Sequence, residues 1–351
     1  MTPTPSLTDS PEVVAKKAGL RYVSDTSPGY SRQKSGGLFQ YFDTKNNQIT
    51  DPAVIERINR LAIPPAYTEV WICPQANGHI QATGLDERGR KQYRYHADWS
   101  AARQATKYHR MRAFGEALPK IRRRVAADLE LSGVPQEKVL ATLVSLLEKT
   151  LIRVGNEEYA KENKSYGLTT MRNKHVEVDR NEITFTFKGK SNQYHEITLR
   201  DKKLAKIVNT LQDLPGQELF QYIDEDDNLQ SISSDDINQY LQEITGQEFT
   251  AKDFRTWRGT VLAAAELAKF DACDSATAAK QNLKAAVQAV AAELGNTPTV
   301  CRKAYIHPIL IETYTNTMSL DDFKRYSEKQ LGRWKQLHKD EAVIMVFLES
   351  C

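Results

Sequence analysis

The sequence has 351 residues, of which 40% are hydrophobic and 26% are charged, and its formal net charge at pH 7 is +3. No uninterrupted apolar run approaches the roughly 20 residues of a membrane-spanning helix, which excludes an integral membrane protein. The four cysteines form no C-x-x-C pair and no disulfide framework, and the first twelve residues lack the basic and apolar regions of a signal peptide, so we expect a cytoplasmic protein.

The N-terminal part of the chain predicts a small β-rich domain. Residues 1–20 are rich in Pro, Ser and Thr and then Lys, so we expect them to be poorly ordered. Residues 21–98 form the predicted domain, and the basic segment 99–107 is the predicted hinge. Three strands are predicted from alternating β-forming residues separated by turn sequences, at 69–73, 79–83 and 92–95.

From residue 100 onward the hydrophobic period becomes that of helices. A three-stranded antiparallel meander interrupts them, at 175–178, 183–188 and 194–199. The predicted helices are 100–118 and 119–131, divided by Pro119, and then 135–155, 202–211, 234–244, 251–269, 276–294, 300–314, 320–338 and 340–348. Residues 108–351 are therefore expected to form a mainly helical domain, and the chain an α+β fold.

Charge is distributed unevenly along the chain. Residues 88–124 contain twelve Lys or Arg and two acidic residues, whereas residues 213–248 contain ten acidic residues and no Lys or Arg. A strongly basic stretch in a folded protein is a candidate surface for a polyanion. The alternative is a solvated helix face whose charges are balanced in space by the acidic stretch.

Several common phosphate and metal motifs are missing. The segment GKS at 189–191 looks like the end of a phosphate-binding loop, but Thr184 stands where that motif needs glycine. The seven histidines and four cysteines show no zinc spacing. If the protein acts on phosphates, the charge neutralisation is therefore expected from Arg and Lys.

Two arginines stand where a helix gives them an unusual environment. Arg153 lies seven residues after Leu146 of the apolar stripe, at the edge of a buried face, although a helix-terminal arginine often only complements the helix dipole. Arg255 lies at the start of a predicted helix, where a cation opposes the dipole and needs an anionic partner. That partner is either Asp253 or a ligand.

A lysine and a tyrosine carry weaker signals. Lys190 lies in the turn between two predicted strands, where most lysines are simply solvated. Tyr305 has Arg302 and Lys303 close by in the sequence, but a single tyrosine belongs to a core far more often than it acts as a nucleophile.

The order of these segments is more specific than any one of them. The chain carries RVG at 153–155, FKGK at 187–190, KDFRT at 252–256 and NTP at 296–298. The first residue of the last segment, Asn296, stands nine residues before Tyr305. This set resembles the type IB DNA topoisomerases of the small poxviral and bacterial kind. The resemblance covers nearly the whole chain and includes GRKQYRY at 89–95 and LTTMRNKHVE at 168–177.

The resemblance implies a role for five residues. The family's nucleophile falls on Tyr305, its two phosphate-clamping arginines on Arg153 and Arg255, and its hairpin lysine on Lys190. The fifth position falls on Asn296, where the poxviral pattern has His. An amide donates a hydrogen bond but does not titrate, so proton transfer is not expected there.

The resemblance also implies duplex DNA as the partner of a monomer that clamps it. The family's DNA contacts fall on Gln92, Tyr93 and Tyr95, and we add Lys252 and, from the basic stretch, Arg122, Arg123 and Arg124. Strand cleavage through a 3′-phosphotyrosyl link and religation need no ATP, cofactor or metal. No membrane association is implied, and nucleoid localisation is expected.

Two other functions compete with this interpretation. A tyrosine recombinase uses a related active site, but its usual pattern has His where this chain has Lys252, and its N-terminal domain is helical. The other is a DNA-binding protein without catalytic activity, in which Tyr305 is structural.

Overall fold

The computed structural model describes residues 10–317, without residues 36 and 88, and residues 328–350. Contacts divide the chain into two units, with the boundary between Arg110 and Met111. Residues 1–9 and residues 320–327 of the predicted helix 320–338 lie outside the described residues, as does Arg88 of the basic stretch.

Unit 1 is built on a five-stranded antiparallel sheet with the order β2-β1-β3-β4-β5. Its elements are α1 (Pro11–Lys17), β1 (Tyr30–Ser35), β2 (Leu38–Phe42), α2 (Pro52–Arg60), β3 (Thr68–Ile72), β4 (Ile80–Leu85) and β5 (Lys91–Tyr95). The buried side chain of Ile58 on α2 packs against Val70, Ile72 and Ala82 of the central strands. The sheet thus contains the three predicted strands and two that sequence periodicity did not reveal.

The expectation of poor order over residues 1–20 is wrong for the described residues 11–17, which form α1. Ser10 caps this helix by accepting a hydrogen bond from the Val13 amide, and Pro11 occupies its first position. Val14 and Ala15 are fully buried and belong to a cluster with Trp99. Burial against a residue distant in sequence therefore stabilises a segment whose composition alone suggests disorder.

A single helix, α3 (Ala97–Asp128), replaces the predicted hinge and the two predicted helices that follow it. Pro119 lies inside α3, although proline removes one backbone hydrogen bond and crowds the preceding turn. Leu118 and Ile121 on either side of the proline are both buried. Their packing offsets the lost hydrogen bond, so the predicted break at Pro119 is wrong.

Unit 2 is mainly helical and contains a three-stranded antiparallel sheet with the order β6-β7-β8, which confirms the predicted α+β fold class. The elements after α3 are α4 (Gln136–Thr150), α5 (Glu157–Asn163), β6 (Val176–Asp179), β7 (Glu182–Lys188), β8 (Tyr194–Arg200), α6 (Lys202–Gln212), β9 (Gln221–Ile223), β10 (Leu229–Ser231), α7 (Ser234–Thr245), α8 (Ala251–Leu267), α9 (Ala276–Leu294), α10 (Pro298–Ala304), α11 (Pro308–Thr317), α12 (Glu328–Gly332) and α13 (Lys339–Ser350).

The predicted helix 300–314 is interrupted in the structure. α10 ends at Ala304 and α11 begins at Pro308, because proline restricts the preceding residue and cannot donate to the turn before it. Tyr305 is the residue that caps α10, with φ −130° and ψ −12°. The break therefore places the predicted nucleophile outside regular helix.

Candidate active site

The backbone of Tyr305 is fixed against α8. Its amide donates to the Cys301 carbonyl oxygen at 2.9 Å, and its own carbonyl oxygen accepts from the Thr260 hydroxyl at 3.2 Å. A Cβ built at Gly259 would lie 2.7 Å from the Tyr305 carbonyl oxygen, so only glycine permits this approach. The side chain of Tyr305 is half-buried at the mouth of a cavity.

Arg255 lies on α8 and is only 4% exposed. Its two terminal nitrogens donate to the carbonyl oxygens of Leu151 and of Leu294, the latter at 2.7 Å. The guanidinium carbon lies 5.2 Å from the centroid of the Tyr305 ring. Its buried Nε has no hydrogen-bond partner among the described residues. A buried donor of this kind is costly unless a ligand accepts from it.

The sequence leaves two partners open for Arg255, and its described hydrogen bonds do not include Asp253. Asp253 instead caps α8, because its carboxylate accepts from the amide of Thr250 at 2.8 Å and from the Thr250 hydroxyl at 3.0 Å. This capping box satisfies the helix N-terminus. The remaining alternative, a ligand anion, is the one that the geometry favours.

Arg153 lies in the segment after α4, and its guanidinium lies near that of Arg255. α4 ends at Thr150, and Leu151 adopts a left-handed conformation with φ 57°, which turns the chain toward Arg153. The guanidinium of Arg153 donates to the Gly295 carbonyl oxygen at 3.1 Å and to the side-chain oxygen of Asn296. Burial and the nearby charge of Arg255 lower its pKa. A buried and a half-buried cation that donate to neutral oxygens rather than carboxylates form an anion site.

Asn296 follows the C-terminus of α9, where Gly295 adopts φ 56°. Its amide oxygen accepts from Arg153, and its amide nitrogen donates to the Leu294 carbonyl oxygen at 3.3 Å. These two bonds fix the orientation of the side-chain amide, with its oxygen toward Arg153 and its nitrogen toward Leu294. Because the nitrogen carries two hydrogens, it has donor capacity beyond the bond to Leu294.

Lys190 lies in the turn that joins β7 to β8, where Lys188 pairs with Tyr194, and residues 190–192 form one 3₁₀ turn. The lysine is exposed. It lines a cavity of about 440 Å³ together with Tyr305, Arg153 and Arg255. The turn therefore brings a primary amine to the cavity that holds both arginines and the tyrosine.

Lys252 lines the same cavity from the first turn of α8, where it is exposed. Five of the predicted site residues, contributed by four elements or turns, thus surround one volume: Tyr305, Arg153, Arg255, Lys190 and Lys252. Asn296 joins them through its bond to Arg153.

His195 was missed by the sequence analysis. Its ring stacks on Phe187 with a centroid separation of 5.2 Å. A Cβ built at Gly189 would lie 2.7 Å from its Cδ2, and a Cβ built at Gly295 would lie 2.8 Å from its Cε1. The ring therefore fills the space between the Lys190 turn and the segment that carries Asn296. The two flanking glycines were the only sequence signal, and their contact is tertiary.

Burial, followed by the charges of Arg153 and Arg255, lowers the pKa of His195. The ring is therefore neutral at neutral pH and adds no third positive charge to the cavity. It also lines a second cavity of about 230 Å³, beside Lys190 and the arginine pair.

The predicted DNA contacts on β5 divide between the two faces of the sheet. Tyr93 and Tyr95 are exposed and stacked, with a centroid separation of 5.8 Å and an angle of 8° between their planes. Gln92 directly precedes Tyr93 on the strand and so points to the other face, where its amide donates to Asp86 at 2.9 Å. The structure therefore groups the two tyrosines and separates Gln92 from them.

The three consecutive arginines of α3 have different environments. Arg122 is enclosed by Glu148 and Glu341, at 2.6 and 2.8 Å. Arg124 pairs with Asp128 at 2.7 Å, and Arg123 is exposed. The contacts of Arg122 favour a structural role over the predicted DNA contact.

Among the described residues, no helix has the length and apolarity needed to cross a membrane. Within the same residues, no three His, Cys, Asp or Glu side chains are grouped so that they could hold a metal ion.

Comparison with known proteins agrees with this geometry. A family model of the catalytic core of eukaryotic DNA topoisomerase I matches residues 96–332, and a model of the N-terminal domain of bacterial DNA topoisomerase IB matches residues 38–86. DNA topoisomerase 1B of Acanthamoeba polyphaga mimivirus is 36% identical over 295 residues, which cover 82% of this chain and 88% of the viral protein.

More distant relatives give the same result. DNA topoisomerase 1B of vaccinia virus (strain Western Reserve) is 24% identical over 82% of this chain and 90% of its own length. DNA topoisomerase 1 of rabbit fibroma virus is 23% identical over 80% of this chain and 91% of its own length. With its catalytic-core match, its N-terminal match and its similarity to the mimivirus enzyme, this chain belongs to the type IB DNA topoisomerases, a family of isomerases.

Proposed function

We propose that this chain relaxes supercoiled duplex DNA by cutting and resealing one strand through a 3′-phosphotyrosyl intermediate. The observation that carries the proposal is that the buried guanidinium of Arg255 and the half-buried guanidinium of Arg153 line one cavity with the half-buried ring of Tyr305. Family membership supplies DNA as the substrate.

The cations would act on the scissile phosphodiester. In-line attack on phosphorus places negative charge on the non-bridging oxygens in the transition state. Fixed hydrogen-bond donors around these oxygens lower the activation barrier of cleavage. The guanidinium forks of Arg153 and Arg255 match a phosphate, and the unpartnered Nε of Arg255 gains an acceptor when phosphate binds. Asn296 adds a neutral donor.

Proton transfer completes each step. The Tyr305 hydroxyl gives its proton to water as its oxygen attacks phosphorus, the bond to the 5′-oxygen breaks, and Lys190 protonates that leaving oxygen. In religation the 5′-hydroxyl returns its proton to Lys190 as it attacks the phosphotyrosine, and the tyrosine oxygen leaves and takes a proton from water. The phosphoester bond is exchanged rather than hydrolysed, so neither ATP nor a metal is consumed.

Plasmid relaxation without ATP and with EDTA tests this proposal. We expect the wild-type chain to relax the plasmid under these conditions, and Tyr305→Phe to lose relaxation completely while duplex binding changes by no more than a few-fold, because only one oxygen is removed. Denatured reactions should contain protein joined to the 3′ side of the break. A 5′-linked adduct, an absolute metal requirement or nicking by Tyr305→Phe would contradict the proposal.

A further inference from the structure

Tyr22 presents an exposed aromatic ring outside the sequence segments that carry the predicted site. The residue is 48% exposed. One face of its ring lies flat on His79, with centroids 4.1 Å apart and planes 11° apart. Trp99 meets the ring at an angle, with centroids 6.1 Å apart. The ring is thus supported from within unit 1, and its other side remains accessible.

The backbone around Tyr22 is held on both sides. The Arg21 amide donates to the Asn77 carbonyl oxygen at 2.8 Å, and the Arg21 carbonyl oxygen accepts from the His79 amide at 2.8 Å. The Val23 amide donates to Nδ1 of His79 at 3.0 Å. His79 therefore fixes Tyr22 through both its ring and its backbone. Such preorganisation reduces the entropy lost when a side chain binds a ligand.

Tyr22 continues the aromatic row of β5. The Tyr95 ring lies 6.3 Å from His79 and 5.8 Å from Tyr93, so the four rings form a continuous series. Burial raises the pKa of Tyr95, and the neighbouring phenols of Tyr93 and Tyr22 raise it further. The ring of Tyr22 therefore continues the exposed aromatic surface formed by Tyr93 and Tyr95.

Cations accompany the row. The Lys91 ammonium lies 5.7 Å from the Tyr93 ring centroid, and the Arg103 guanidinium lies 5.8 Å from the Trp99 ring. Because Tyr22 is exposed, its hydroxyl can donate to a ligand oxygen. A phenol donor in an aromatic row accompanied by cations suits a phosphate oxygen, and tyrosine is among the side chains that contact DNA backbones.

We propose that Tyr22 is a further contact of unit 1 with duplex DNA, and that its hydroxyl donates to a backbone phosphate while His79 supports its ring. The inference rests on the proposed function for its substrate, but it concerns affinity and not the cleavage step.

The experiment measures the Kd of a labelled duplex for the full chain carrying Tyr305→Phe, which prevents cleavage, over a series of salt concentrations. Adding Tyr22→Phe removes only the hydroxyl and should weaken binding roughly three- to tenfold, the scale of one hydrogen bond. The salt slope should stay unchanged, because a neutral donor releases no counterion. Arg103→Ala should instead lower the slope by about 1.

Tyr41→Phe is the matched control, since this tyrosine lies on β2 at the opposite edge of the same sheet, and its hydroxyl bonds to Asn59. Its Kd should not change. An unchanged Kd for Tyr22→Phe would overturn the inference and leave Tyr22 as a cover for the His79 and Trp99 rings. Covalent adduct formation by the chain with Tyr305 intact is measured separately, and failure there bears on the proposed function alone.

Discussion

Lys190 is exposed in a turn, so its contacts in the structure do not indicate its role in the reaction. If it is the general acid, a leaving group that needs no proton should make it dispensable. We expect Lys190→Ala to cleave normal DNA slowly and to cleave DNA with sulfur at the bridging 5′ position at nearly the wild-type rate. Single-turnover cleavage of both substrates measures this.

Arg255→Ala is the matched variant for that experiment. Its guanidinium would act on the non-bridging oxygens, so sulfur at the bridging position should not restore its rate, which we expect to fall roughly 10²–10³-fold. If sulfur leaves the Lys190→Ala defect unchanged, Lys190 is an electrostatic contact, and Arg153 becomes the candidate acid.

At the scale of elements, the ring of His195 links the β7–β8 turn to the segment after α9. The ring lies so close to Gly189 and Gly295 that a Cβ built at either position would come within 2.8 Å of it. We therefore expect His195→Ala to slow cleavage roughly 10–100-fold by displacing Lys190 or Asn296, since small misplacements are costly. His195→Phe retains a ring and should retain most of the rate. Pre-steady-state cleavage rates for both variants check this.

The pH profile separates packing from chemistry. The folded state lowers the pKa of His195 and so favours its neutral form. At pH values above the pKa of an unfolded histidine this contribution to stability is fully present. It is lost as the pH falls through the lower pKa of the folded state. Wild-type cleavage should therefore show a decline on the acid side that His195→Phe lacks. Equal loss of rate in both variants at neutral pH would show that the imidazole itself takes part in the reaction.

Three helices meet at the ion pairs of Arg122. Its guanidinium on α3 bonds to Glu148 on α4 and to Glu341 on α13, and Glu341 also accepts from the Trp257 indole at 3.1 Å. We expect Arg122→Ala to lower the free energy of unfolding by about 3 kcal/mol, because it leaves the buried carboxylate of Glu341 and the half-buried carboxylate of Glu148 without this cation. Urea denaturation at pH 7 measures it.

Arg123→Ala, one residue along the same helix, is the control and should change stability by less than about 0.5 kcal/mol. Burial opposes ionisation of Glu341, but the charge and hydrogen bonds of Arg122, together with hydrogen bonds from His338 and Trp257, outweigh it and lower the pKa of Glu341. The ion pair of Arg122 and Glu341 therefore stabilises the fold at pH values above the pKa of an unfolded glutamate. This stabilisation is lost as the pH falls through the lower pKa of Glu341 in the folded state. A pH-independent Arg122→Ala effect would contradict this origin.

For the whole molecule, DNA affinity has to come from the distribution of charge, since the net charge is only +3. If six or more phosphates are contacted, Kd should rise roughly 10³-fold between 50 and 200 mM salt. Arg123→Ala should lower the slope of log Kd against log salt concentration by about 1. Arg122→Ala should leave that slope unchanged, because Arg122 is enclosed by two glutamates. Fluorescence anisotropy with one duplex measures both. A lower slope for Arg122→Ala would restore it as a DNA contact.

Sequence patterns alone predicted the elements with a regular period and the family. The helix 276–294 was predicted at the observed bounds, and the meander was predicted within one residue at each strand end, because side-chain periodicity is a local property. The family followed from the order of short segments around Arg153, Lys190, Arg255 and Tyr305, which does not require knowledge of their contacts.

How these segments act together depends on contacts between residues far apart in sequence. Packing of Leu118 and Ile121 carries α3 through Pro119, and burial of Val14 orders α1. The wedge of His195 between two glycines and the enclosure of Arg122 by two glutamates each join residues far apart in sequence. Such contacts depend on the relative positions of whole elements, and no local pattern of residues encodes them.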